Sequence, residues 1–216
     1  MSNLPELADL PYAAHLIAHE GDLCAREDYD TVLFEDLDLA APSAPSAKFL
    51  ECAFTGVSIA GGRMQRANLR DVWMRDVRMT GTNLAESNWL DVTVGLSALA
   101  GAQVFGAELR RVVFSGCKLA SVNFRGTSLT EVTFERCVLR DVDFADAVLT
   151  QCGFAGSQLS RTDFSRARMD RTDLRGAELG IVIDSQSLRG AIISTAQLVV
   201  LAPVLAESMG VVVRDD

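Results

Sequence analysis

From Phe49 to Leu179 every fifth residue is apolar, without a slip. The series opens Phe49, Phe54, Ile59, Met64, Leu69 and closes Phe164, Met169, Leu174, Leu179. A period of five is neither that of a helix, 3.6, nor that of a flat strand, 2. A chain with this pattern turns a corner at regular intervals and returns each fifth side chain to one axis. Such a fixed period marks a repeat architecture.

The position two residues before each of these is equally restricted. Between Cys52 and Val182 it holds only Ala, Cys, Gly, Ser, Thr or Val. A large residue alternating with a small one, both pointing inward, fills a narrow tube. The pattern is A-[DN]-L-x-x, with good copies at Ala67-Asn68-Leu69-Arg70-Asp71 and Val142-Asp143-Phe144-Ala145-Asp146. In these features the chain resembles the pentapeptide repeat proteins, over roughly residues 29–184. The resemblance implies an all-β fold, a right-handed quadrilateral β-helix, with one pentapeptide per side and 20 residues per coil. Nearly eight coils would then stack about 4.8 Å apart into a rod of roughly 37 Å. The inward alternation of Phe and Leu from Phe114 to Phe164 supports the 20-residue coil, because that step sets Phe114, Phe134 and Phe154 in one column.

Three segments follow: an N-terminal cap over 1–28, the solenoid over 29–184, and a C-terminal capping and dimerisation segment over 185–216. A short amphipathic helix is expected between Pro11 and Glu20, with Leu16 and Ile17 packed on the first coil. At the other end Ser194-Thr195-Ala196-Gln197 matches a capping box, with Leu198, Leu201, Leu205 and Met209 following at helical spacing and Gly210 placed to end the helix. Pro203 is expected to kink or split this helix. Val199, Val200 and Val204 make the segment apolar nearly all round, which points to contact with a second subunit. Leu198, Leu201, Leu205, Met209, Val211, Val212 and Val213 are the candidate interface of a homodimer.

The net charge of −9 is unevenly placed. Residues 1–60 hold eleven acids against Arg26 and Lys48, which already amounts to −9, so the remaining eighteen acids and eighteen bases cancel. The acidity belongs to one end, with Glu27, Asp28, Asp30, Glu35, Asp36 and Asp38 at its centre. Arginines cluster at 63–78 and 161–175, but aspartates are interleaved with them. A salt-bridged face is expected there rather than direct nucleic-acid binding.

Catalytic and metal chemistry find little material. The only histidines are His15 and His19, whose spacing suits a metal on a helix, yet no third ligand is indicated. With no histidine in the rod a serine triad is excluded there. Cys52, Cys117, Cys137 and Cys152 occupy small inward positions and read as packing thiols. Cys117 and Cys137 lie one coil apart, but parallel Cβ vectors suit a disulfide poorly. No cofactor, membrane span or secretory leader is expected, and the expected setting is the cytoplasm.

The remaining candidates are contact surfaces. On one side the residue before the inward position reads Leu33, Ala53, Trp73, Thr93, Val113, Thr133 at steps of 20, an apolar stripe centred on Trp73. The charge-free stretch 92–107 adds Leu96 and Phe105. Such patches mark partner contacts. The family resemblance implies a non-enzymatic binding protein acting on a type II topoisomerase, DNA gyrase or a relative, modulating it or shielding it from poisons by imitating duplex shape. The alternative from the residues is a scaffold that uses the Trp73 stripe and Phe105 on an unrelated cytoplasmic partner.

Overall fold

A computed structural model of the chain describes residues 4–184 and 186–214. The period of five becomes a β-solenoid of about eight turns. Each coil has four sides, and equivalent residues stack at steps of 20. The first side carries the ladder Leu33–Ala53–Trp73–Thr93–Val113–Thr133–Gly153–Asp173, all parallel. The second side is an eight-stranded parallel sheet, from Asp38–Ala40 to Glu178–Val182. The third is a column of single bridges through Arg63, Asn83, Gln103, Asn123 and Asp143. The fourth runs through Lys48, Asn68, Asn88, Glu108, Ser128, Val148 and Arg168. Strands Asn68–Arg75, Asn88–Gly95 and Glu108–Ser115 round the corner between the fourth and first sides and join them into one 12-stranded sheet.

Corners fall two residues after each large inward residue, and nearly all take a left-handed backbone, as at Asp71, Asp91, Asp141 and Asp146. Aspartate and glycine tolerate that conformation best, which accounts for their recurrence there. Inside, Phe134 lies 4.9 Å from both Phe114 and Phe154, with planes 3° and 13° apart, so the aromatic column follows the coil spacing. The opposite column, Phe124, Phe144 and Phe164, meets it edge to face. The small inward residues do more than fit. Thr82, Thr127, Ser157, Thr162 and Thr172 each donate a hydroxyl to the carbonyl 23 residues earlier, and the thiols of Cys52, Cys117, Cys137 and Cys152 point the same way. Each adds a hydrogen bond to a carbonyl of the preceding coil and so ties neighbouring coils together; the Val104 carbonyl, for one, also accepts from the Ala107 N–H. All four thiols are free, and burial pushes those of Cys52 and Cys152 up to about 11.

The ends depart from expectation. No helix forms over 11–20. Two single 3-10 turns, Leu7–Asp9 and Ala13–His15, lead into a short strand, Ile17–Ala18, that pairs with Val32–Leu33. The first coil presents unpaired backbone, and the chain satisfies it with a strand: Ile17 and His19 donate their N–H groups to Thr31 and Leu33. Ile17 therefore points to solvent, while His19 lies over the end of the core at 5.4 Å from Tyr29 and 5.0 Å from Phe34.

At the other end the coil continues past 184. The register slips by one residue between Ser160 and Thr162, opposite Gly180 and Ile181, and Thr172–Asp173 then pair with Ala191–Ile192. Gly180 permits the slip, since a Cβ there would lie 2.7 Å from the Leu159 carbonyl oxygen. Ile183, Leu188 and Ile193 accordingly pack on the core, still five apart but one place out of phase.

The capping box forms: Ser194 Oγ accepts from the Gln197 N–H at 3.2 Å and Gln197 Oε1 from the Ser194 N–H at 2.9 Å. Gln197 Nε2 also donates to the carbonyls of Leu174 and Ala177, tying the helix to the last coil as the small inward hydroxyls tie the others together. The helix Thr195–Ser208 runs on through Pro203. The carbonyl that proline deprives of a partner belongs to exposed Val199, where solvent reaches it. Gly210 follows in the left-handed conformation, with the Val211 N–H returning to Ala206.

Candidate functional site

The stripe centred on Trp73 is not open. Trp73 is 3% exposed, because the N-terminal segment crosses the first side and covers it. Trp73 Nε1 donates to the Pro5 carbonyl at 3.0 Å, and Arg75 pairs with Glu6. Tyr12, also buried, stands over the coil of Cys52. Burial raises the Tyr12 hydroxyl above its ordinary value. Trp73 is therefore not the open contact surface expected of it: an outward large apolar residue has been covered by the chain itself. Val113, three coils beyond Ala53, remains half-buried on the same side.

Leu96 and Phe105 are exposed, at 53% and 41%. They do not form one patch. Leu96 is the corner between the first and second sides and Phe105 ends the third side, so about half a coil separates them. Leu96 holds a left-handed backbone, and its Cδ2 lies over Gly116 on the next corner.

The acidic residues Glu27, Asp28, Asp30, Glu35, Asp36 and Asp38 are all exposed. They lie on the fourth side, the first side and its corner, and the second side of the first full coil, so they make a collar around the rod rather than a stripe along it. Asp28 is paired with Lys48 at 3.0 Å.

Several of the rod's arginines are partnered coil to coil, while the 63–78 cluster shows ion pairs only at Arg70–Asp71 and Arg75–Glu6 among the described residues. Arg111 takes Asp91, Arg161 takes Asp141 and Arg166 takes Asp146, each 20 residues earlier and each through two hydrogen bonds. Arg175 grips Asp173, its neighbour but one. These arginine hydrogen bonds hold Asp91, Asp141, Asp146 and Asp173 below the ordinary carboxylate range. Asp184 is lowered by the N–H groups of Gln186 and Arg166. A hollow of about 700 Å³ lies where that turn lifts off the last coil, between Arg168, Met169, Arg189 and Gly190.

The sign of the pH effect follows. A carboxylate lowered on folding adds stability above its unfolded value of about 3.9, and that contribution is lost as pH falls through the lower folded value. The melting temperature should therefore be level between about pH 5 and 7 and decline below about pH 4. Asp141→Asn with Asp146→Asn should flatten that decline; calorimetry across the range measures it.

At the C-terminal end Leu201 is 1% exposed and Leu205 packs against the core. Leu201 is thus a plug of the rod and not an interface residue: the helix turns its leucine stripe to the last coil because that open end is the nearest apolar surface. The outward face is instead Leu198, Val199 and Val200, continued by Met209, Val211, Val212 and Val213, all exposed.

A four-sided coil of five-residue sides, with small and large inward positions and a helical end plug, defines the class: the chain has the pentapeptide repeat fold. The family model described as a pentapeptide repeat region matches residues 107–182. Two trypsin-treated forms of QnrB1, a plasmid-mediated fluoroquinolone resistance protein, share the fold at a TM-score of 0.72. The first is 20% identical over 93% of this chain and 100% of its own, the second 19% identical over 92% and 97%. HetL from Nostoc sp. Strain PCC 7120, a pentapeptide repeat protein involved in heterocyst differentiation regulation, matches at 0.45, with 16% identity over 78% of this chain and 90% of its own. No curated protein matches the chain by sequence. Among the described residues no group of three His, Cys, Asp or Glu side chains could hold a metal ion, and no helix is long and apolar enough to cross a membrane.

Proposed function

We propose that this chain is a non-enzymatic binding protein that acts on a type II topoisomerase such as DNA gyrase, modulating it or protecting it from poisons. The observation that carries the reading is the fold shared along nearly the whole chain with a fluoroquinolone resistance protein. Fluoroquinolones act on type II topoisomerases, so a resistance protein built as a rod points to that target. A duplex of ~37 Å carries about 22 negative charges. The rod beyond residue 60 is neutral, so imitation of DNA rests on its shape, with charge confined to the collar at Glu27–Asp38. The protein acts as a homodimer through the exposed face of the C-terminal helix, two-fold and self-complementary. The scaffold alternative finds no open surface at Trp73, which the chain's own N-terminal segment occupies.

Titration of the purified protein into a gyrase supercoiling reaction tests this. Inhibition is expected without any cofactor. Neutralising Glu27, Asp28, Asp30, Glu35, Asp36 and Asp38 together should weaken it about tenfold or more, and added salt should weaken the native protein. Full supercoiling with the protein in large excess, using gyrase from the same organism, would reject the reading.

A further inference from the structure

The segment that covers the first side is held in an unusual way. From Leu4 to Leu16 the bonds from backbone to backbone are internal: Asp9 to Glu6, Leu10 to Leu7, Ala13 to Leu10, His15 to Tyr12, Leu16 to Ala13. It adds nothing to the ladder beneath, where Ala53, Trp73 and Thr93 already pair with one another. The bed is also better buried than its occupant. Ala53, Trp73 and Gly95 are buried, whereas in the segment only Tyr12 is.

Three neighbouring anchors seat it. Leu4 fills a notch floored by Gly95, where a Cβ would come within 2.7 Å of Leu4 Cδ1. The Pro5 carbonyl takes the Trp73 N–H, and Glu6 takes Arg75. The bed thus offers a slot for an apolar side chain, a donor for a backbone carbonyl and a cation for a carboxylate, in that order. None of these features is needed to close the coil. A proline suits the middle place, because it fixes an extended backbone and has no N–H to leave unpaired.

We propose that the first side between Ala53 and Gly95 is a docking groove for an extended protein segment of apolar–proline–acidic chemistry. The chain's own Leu4-Pro5-Glu6 is its resident ligand, and a partner's segment of the same chemistry displaces it. Covalent attachment gives the resident segment an effective concentration in the millimolar range, so it acts as a built-in competitor. The proposal is independent of the topoisomerase reading.

The test uses the full chain and a fluorescent synthetic peptide, Leu-Pro-Glu-Leu-Ala-Asp-Leu-Pro-Tyr, the sequence of residues 4–12. In the Glu6→Lys chain the resident acid is lost, and acrylamide quenching of Trp73 should at least double. Trp89, buried and bonded to Ser87 Oγ, adds a constant background. The peptide should bind this chain at least tenfold more tightly than the native chain and restore the shielding. A peptide with lysine for its glutamate should not bind. Glu6→Lys with Arg75→Glu should return quenching to the native level, which also shows that the fold survives. Equal peptide affinity for native and Glu6→Lys chains, no binding to either, or unchanged quenching would overturn the proposal. A molecular mass that differs between the two chains would give the groove to a second copy and overturn it as well.

Discussion

Replacing Phe134 with aspartate is expected to unfold the middle of the rod, lowering the melting temperature by more than about 10 °C or abolishing the transition. Phe134 is fully buried between Phe114 and Phe154, with Phe124 and Phe144 across the core. Removing such a ring alone costs about 3–5 kcal/mol. An aspartate there adds a carboxylate with only rings and aliphatic groups around it, and an unpaired buried charge costs more still. Whole domains are stable by only about 5–15 kcal/mol. Because each coil buries its core only against its neighbours, a break at this level also leaves two open ends. Phe134→Leu is the control: leucine already fills the alternate inward columns at Leu129 and Leu139, so melting should fall by only a few degrees. A native melting curve for Phe134→Asp by circular dichroism would contradict the coil register.

The second large effect is expected at the C-terminal plug. Leu201→Asp places a charge where the helix meets the last coil, at a cost of at least ~2–5 kcal/mol, the range for losing a buried leucine. The freed coil edge should then promote aggregation. Val199→Ser with Val200→Ser changes the opposite, exposed face. That pair should leave melting nearly unchanged and halve the mass seen by light scattering. Native melting for Leu201→Asp would remove the plug. An undiminished mass for the valine pair would move the dimer contact elsewhere.

The coil itself was legible in the sequence because its period is set by local packing: every inward large residue from Phe49 to Leu174 is buried where the spacing put it. The two ends were not, for different physical reasons. Leu4–Tyr12 has no period, and its seat is fixed by Trp73 and Arg75, 68 and 69 residues away from Pro5 and Glu6. Nothing local in Trp73 separates an outward tryptophan awaiting a partner from one already covered. The last coil was hidden by the single-residue slip at Gly180, although Ile183, Leu188 and Ile193 kept the spacing of five. In the C-terminal helix the capping box Ser194–Gln197 was readable, being local. Which face turned inward was not, since Leu201 and Val199 are equally apolar and only the position of the last coil divides them. The acidic collar was visible as a concentration of charge; its wrapping around three sides required the coil geometry.

The most direct test of the topoisomerase reading is the amount of cleaved DNA that gyrase accumulates with a fluoroquinolone present. Across a titration from substoichiometric to a large excess of this protein, cleaved DNA is expected to fall progressively, and the collar-neutralised variant should need about ten times more protein for the same fall. Cleavage that stays constant across the whole titration, with the protein folded and dimeric, would contradict it.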